Sequence, residues 1–388
     1  MADLAPWELD TTLTVPTGTV VDPADIVSRH PDTDPAMVDV VVHDPHASVA
    51  LPAEVEAWLV PGISAKRRMD YSDFASDALG RHWAALDPHV IYVRNPVNRL
   101  VFDPNRFRPP LEDLRQQLPE AIRRSKAALA DGVKPSLGGV DSVRPVTFAG
   151  YPALDLDRVA ADVETFLEVL DEAGTRTVGV YRTTVRSVVE EVIAAKRERL
   201  ANLSIHDIGA DDLVRLANLV VVGLHDTSAF TMTPDDALAT PKPVADTLPT
   251  HIDFGTRGDS NGDPGLADGA GGHEPTSMTP AGVRALRMGF VEAFGSHRGF
   301  TINDPYKGAE ETVRFRDDYA VGSRLGPVKV EVVQYEWSRE TLLGDAAVEA
   351  LAQPGTEWDD SAKTIDKTLA PRTIDAHAAY RRRLAGLL

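Results

Sequence analysis

The chain has 388 residues, no cysteine, a formal net charge of −19 and a pI of about 5.0. The charge disfavours nucleic acid and anionic membrane surfaces as partners, because both are bound through basic patches. The missing cysteines exclude disulfides, thiolate nucleophiles, Fe–S clusters and Cys-type zinc sites, so any metal must be held by His and carboxylate.

In chain order, residues 1–36 are rich in Pro, Asp and Thr and predict an extended arm lying on the body. A first core strand is expected at about 38–43, running into His43-Asp44-Pro45-His46. Ser72 or Asp73 starts a helix through Trp83. A second strand follows at 90–93, and a short third at Asn98–Phe102. Leu111–Leu129, Asp157–Ala173 and Val178–Leu200 carry helical apolar periodicity, the last two separated by Gly174-Thr175. The apolar run 219–224 is a buried strand leading into His225-Asp226. Residues 226–250 read as an irregular insertion with no chemical signal, and 255–273 as a Gly-rich mobile loop. Thr279-Pro280 caps a helix to Phe294, followed by strand 299–303, strand 327–335, helix 338–351 and a terminal helix from Arg372.

Strands alternating with helices predict an α/β fold: a mixed, mostly parallel sheet flanked by helices on both faces. The expected organisation is an arm (1–36), one hydrolase-type catalytic domain (37–352) with insertions near 131–153, 226–250 and 255–273, and a helical extension (353–388). No apolar run is long enough to span a bilayer, and no secretory signal opens the chain, so a cytoplasmic location is expected.

In such sheets ligands bind outside the carboxyl ends of the strands. Three strands end in residues suited to metal-assisted hydrolysis. His46 and His225 are candidate zinc ligands, with His43 a rival to His46. Asp44 and Asp226 are placed to orient the imidazoles. Glu336 closes a strand face that turns from apolar to polar; it reads as a general base or as a helix cap before Ser338. Arg94, Arg99, Asn105 and Arg106 cluster near one strand edge and point to a small anionic substrate, with Arg257 and Lys307 as further donors.

Several stretches resemble the N-formylglutamate amidohydrolase family, relatives of zinc carboxypeptidases. They are Pro45-His46-Ala47-Ser48, Tyr71-Ser72-Asp73-Phe74-Ala75-Ser76-Asp77, Asn98 to Arg106, Phe254-Gly255-Thr256-Arg257-Gly258, Pro305-Tyr306-Lys307-Gly308, and Gln334-Tyr335-Glu336-Trp337-Ser338-Arg339. Gly223-Leu224-His225-Asp226 departs from the family's Asp-Ala-His-Ser, and Ala309 stands where it has a second glycine. The resemblance implies a zinc carboxypeptidase-type fold and Zn2+, or another divalent metal, held by His46, Asp73 and His225. It also implies Glu336 as base, with Arg99, Asn105 and Arg106 on the oxyanion or substrate carboxylate. For Asp73 the competing reading is a helix N-cap.

The expected activity is metal-dependent hydrolysis of the C–N amide bond of an N-formyl or N-acyl amino acid, or a similar small carboxylate. Rival readings are a carboxypeptidase-like metallopeptidase and a binding protein that kept the fold without the chemistry.

Overall fold

The computed structural model describes residues 4–386 except 134, 136–141, 144, 148, 204–207, 243–247, 249, 266–273, 321–325 and 356–362. The predicted Gly-rich loop at 255–273 therefore lies partly outside the described residues, as does part of the 226–250 insertion.

Seven strands form the main sheet: β1 (Val27–Arg29), β2 (Val40–Asp44), β3 (Val90–Arg94), β4 (Asn218–Thr227), β5 (Ile252–Gly255), β6 (Phe300–Ile302) and β7 (Lys329–Ser338). Their spatial order is β6-β5-β7-β4-β2-β3-β1. β7, β4, β2 and β3 are mutually parallel, β6 runs parallel to β5, and the β5–β7 and β1–β3 pairs are antiparallel. The chain is thus α/β with a mixed, mostly parallel sheet, as its sequence predicts.

Successive residues of a strand face opposite sides of the sheet. Val41, Val221 and Val332 pack with Tyr181, Val185, Val189 and Ile193 of α4 (Val180–Ala201). Val40, Val42, Val220, Val222 and Val333 pack on the opposite side, with α1 (Phe74–Leu86), α5 (Pro280–Phe294) and α6 (Leu369–Ala385). A further cluster joins α2 (Leu111–Ala130) and α3 (Val163–Gly174) to Trp58 and Leu100–Phe102.

Several local expectations are corrected. Asn98–Phe102 forms no strand: Asn98 Oδ1 accepts from Leu100 N at 3.0 Å, and its carbonyl accepts from Val101 N at 3.1 Å, which closes a turn. Gly174-Thr175 does not separate two helices; a π turn over Thr175–Gly179 carries α3 into α4. Gly174 is needed for close approach, since a Cβ there would lie 2.5 Å from the Phe102 ring. The predicted helix 338–351 is two, Arg339–Leu343 and Asp345–Ala352, divided at Gly344 with φ 76°. The N-terminal arm supplies the edge strand β1. The 226–250 insertion contains a hairpin, Phe230–Met232 with Leu238–Pro241.

Candidate active site

The parallel register sets His225 of β4 opposite Glu336 of β7. Both continue the α4-facing side of the sheet, in step with Val221 and Val332. His46 follows β2 in a turn pinned by Asp44 Oδ1, which accepts from His46 N at 3.0 Å, and by Asn95 Nδ2, which donates to Pro45 O at 2.7 Å. The His46 carbonyl accepts from Asp73 N at 3.0 Å, so the start of α1 is tied directly to this turn.

Asp73 sits at the N-cap position of α1, but its side chain makes no capping bond. Asp226 Oδ2, reaching from β4, accepts instead from Ala75 N at 2.9 Å and Ser76 N at 3.1 Å. This satisfies donors that every helix start leaves open. The Asp73 carboxylate is released for another use: its Oδ2 lies 2.9 Å from His46 Nδ1 and 2.8 Å from His225 Nδ1.

The remote imidazole nitrogens are also held. His46 Nε2 is 2.9 Å from Asp103 Oδ1, and Asn105 Nδ2 is 3.4 Å from His225 Nε2. Asp103 Oδ2 accepts from Arg99 Nε at 2.9 Å. Among the described residues, His46, Asp73 and His225 form a cluster able to hold a metal ion, with one donor atom from each within 4.8 Å of the others. The donor set suits a divalent cation: two imidazole nitrogens and a carboxylate oxygen converge, all three side chains are buried, and the Asp103 carboxylate holds the outer ring nitrogen of His46.

Electrostatics separate the acidic groups. Burial works to raise the Asp73 carboxyl, yet the His46 charge and the hydrogen bonds from both imidazoles hold it well below the usual range. Burial pushes the His225 imidazole down to about 4 despite Asp73. Burial also drives the Glu336 carboxyl well above its ordinary value, and the negative charge of Asp73 adds to this, while a 2.8 Å hydrogen bond from Gln334 Nε2 opposes it. Two neighbouring carboxylates are thus pushed apart, one fixed as an anion and one made more basic.

A cavity of about 620 Å³ is lined by His46, Asp73, His225 and Glu336 together with Arg99, Asn105, Arg106 and Lys307. A second cavity of about 430 Å³ adjoins it, sharing Asn105, Arg106, Gly308 and Ala309. Of the residues that the family resemblance or the anionic-substrate reading assigns to metal, base or substrate, Arg257 lines only the second cavity. Its Nε and Nη2 each donate to the Glu274 carboxylate at 2.8 Å.

Other expectations fail for reasons of parity and pairing. Asp44 and Asp226 do not orient the imidazoles. They lie one residue out of phase with His43 and His225 and so face α1, where Ser76 Oγ donates to Asp44 and Arg339 pairs with Asp226. His43 is no rival ligand; its Nδ1 lies 3.1 Å from Glu311 Oε2 and 3.0 Å from Tyr181 Oη. Arg94 pairs with Asp10 and Asp77, away from the cavity. Glu336 does not cap the helix after β7, because Ser338 Oγ accepts from Thr341 N. Asp103, Gln334 and Lys242 belong to the site without a role assigned to them by sequence. Asp103 stands four residues after Arg99, a spacing that could signal the pair, but nothing local to Lys242 signals the site.

No protein-family model and no curated protein matches the chain. Among solved structures it is similar to an N-formylglutamate amidohydrolase from Ralstonia eutropha JMP134, at 15% identity and a TM-score of 0.49, over 93% of this chain and 96% of that one. It is also similar to a gene product from Agrobacterium tumefaciens, at 15% identity and a TM-score of 0.44, over 95% of this chain and 99% of that one. At this identity and overlap the likeness assigns no activity, so a functional reading must rest on the geometry of the site.

Proposed function

We propose that the chain is a metal-dependent amidohydrolase that cleaves the C–N bond of an N-acylated amino acid or a similar small carboxylate. One observation supports this reading above the others. His46, Asp73 and His225, drawn from three distant segments, meet at one point in the cavity that Glu336 also lines.

His46 and His225 through Nδ1, and Asp73 through Oδ2, would hold the ion, for which zinc is the proposed identity. When bound, such an ion supplies Lewis acidity, which makes water more acidic and polarises a carbonyl oxygen. Glu336 takes a proton from the attacking water and returns it to the leaving nitrogen. The water oxygen bonds to the acyl carbon, the C–N bond breaks, and a carboxylate and an amine leave. A raised Glu336 pKa suits this exchange, because a base works best when its pKa lies near the operating pH. Arg99, held at the cavity wall by Asp103, is assigned to the developing oxyanion. Asn105 and Arg106 are assigned to the substrate carboxylate, with Lys307 as a further cation on the wall and Arg257 reserved for the adjoining cavity.

The adjoining cavity supports a second reading, a peptidase acting on the end of a longer chain. The test is turnover of a panel of N-acyl amino acids against short peptides of the same terminal residue. Release of amine from the acyl amino acids is expected. Hydrolysis confined to the peptides would favour the second reading, and no hydrolysis of either would reject both.

A further inference from the structure

We propose that Lys242 receives an anionic group at the acyl end of the substrate, so that the amides taken here are half-amides of a dicarboxylic acid rather than formamides. This rests on the amidohydrolase reading and extends it to the substrate class.

Lys242 follows directly on the hairpin Phe230–Met232 with Leu238–Pro241. Its backbone N donates to Ala229 O at 2.9 Å, which pins the residue against the segment leaving β4. The half-buried side chain lines the same cavity as His46, His225 and Glu336. Its amine makes no hydrogen bond or ion pair with any described residue. Withdrawing an ammonium from water without a partner is unfavourable, and burial accordingly lowers its pKa.

Each acidic group around it has another partner, Glu336 accepting from Gln334 Nε2 at 2.8 Å. Asp70 accepts from Thr231 Oγ1 at 3.1 Å. Glu340 accepts from Ser228 Oγ at 2.6 Å, Ala229 N at 3.0 Å and Ser338 Oγ at 3.0 Å. Asp226 pairs with Arg339. Lys242 is thus a cation facing the cavity with room for an anion.

Its position decides which end of the substrate it meets. Lys242 is tied to Ala229 on the segment leaving β4 and lines the main cavity but not the adjoining one, whereas Asn105 and Arg106 line both. Arg99 and Arg106 belong to the other flank, where they act on Asp103 beside His46. Glu336, opposite His225 in the register of β7 and β4, lines the main cavity only. An amide with its amino-acid carboxylate at Arg106 and its scissile carbon at Glu336 directs its acyl tail toward Lys242. A formyl group has no tail and would leave the amine facing water. Arg99, Arg106, Lys242, Lys307 and Arg339 line this cavity with Asp70, Asp73, Asp226 and Glu336; Arg339 is paired with Asp226 and Arg99 with Asp103, which leaves Arg106, Lys242 and Lys307 as the cations on its wall without a carboxylate partner among the described residues. Cations at separate points of one cavity wall suit a substrate with more than one negative charge.

The test compares an N-succinyl amino acid with its neutral N-succinamoyl counterpart and its N-formyl counterpart, in the wild-type protein, Lys242→Met and Lys242→Arg. The wild type is expected to prefer the succinyl substrate at least tenfold in kcat/KM, mainly through KM. Lys242→Met should bring the succinyl and succinamoyl substrates to within about twofold of one another, and Lys242→Arg should restore the preference. Calorimetry of succinate with the same proteins gives a readout free of turnover; at least a tenfold weaker Kd is expected in Lys242→Met. An unchanged ratio in Lys242→Met, a wild-type preference for N-formyl substrates, or succinate binding independent of Lys242 would overturn the proposal. So would a failure of succinate to bind at all. If succinate binding depends on Lys242 while no amide is hydrolysed, the anion subsite stands and the amidohydrolase reading falls.

Discussion

Glu336→Gln separates catalysis from folding and from metal binding. Glu336 is 8% exposed, and its side chain accepts a 2.8 Å hydrogen bond from Gln334 Nε2. A glutamine has the same shape, and its carbonyl oxygen can accept that bond. What disappears is a carboxylate whose ionisation is already disfavoured, first by burial and then by the charge of Asp73. The fold therefore loses nothing and is relieved of a repulsion, so the unfolding midpoint should hold or rise. Metal content should stay at the wild-type level, because the ion is assigned to His46, Asp73 and His225. Turnover should fall by about 10²–10⁴, the usual contribution of a positioned acid–base group, or roughly 3–5 kcal/mol of barrier. Steady-state amine release, elemental analysis and urea unfolding on one preparation give all three numbers. Near-normal turnover removes Glu336 from the role of base. Loss of metal together with turnover would make it a ligand instead.

Asp103→Ala should weaken metal binding by about 10–100-fold, as expected when the partner of a ligating imidazole is lost; competition with a chromogenic chelator measures it, and unchanged affinity would mean that the 2.9 Å contact with His46 Nε2 does not support the site. Gly80→Ala should destabilise by about 1–3 kcal/mol despite its gain in helix propensity. The new Cβ would lie 2.3 Å from the Tyr92 ring, and that ring is fixed by a 2.9 Å hydrogen bond from its hydroxyl to Asp77. A raised urea midpoint would contradict this. His377 is buried beside Tyr335 Oη, and burial, aided by the Arg381 charge, pushes its imidazole down to about 3 from 6.5. The unfolded chain therefore binds a proton that the folded chain does not across this window. The His377 contribution is complete above pH 6.5 and declines as pH falls toward 3, by about 1.4 kcal/mol per pH unit. Stability measured from pH 7 to pH 4 should show one proton less of pH dependence in His377→Phe; identical slopes would refute the assignment.

The parts of the site carried by strand periodicity are legible in the sequence. The apolar runs Leu219–Leu224 and Val328–Val333 lead to His225 and Glu336, because a buried parallel strand announces itself and its carboxyl end is where ligands collect. The same period of two places Asp226 on the face opposite His225, so spacing alone argues against its supporting that imidazole. Asp73 is harder. Its position before a helix fits a cap, and only the tertiary arrival of Asp226 at Ala75 N and Ser76 N shows that the cap is supplied from elsewhere. The short strands β1 and β5 escape because three or four residues carry little periodic signal, and pairing with β3 and β7 defines them. Lys242 escapes for a related reason: it reaches the cavity through a hairpin whose sequence is polar and irregular.

The proposed chemistry depends on His46, Asp73 and His225 sharing one ion. The direct measurement is metal stoichiometry by elemental analysis of the protein purified without chelators, alongside His46→Ala and His225→Ala. It should show one divalent ion per chain in the wild type and far less in either variant. Equal metal in all three proteins, or no bound metal in the wild type after dialysis against zinc, would contradict it.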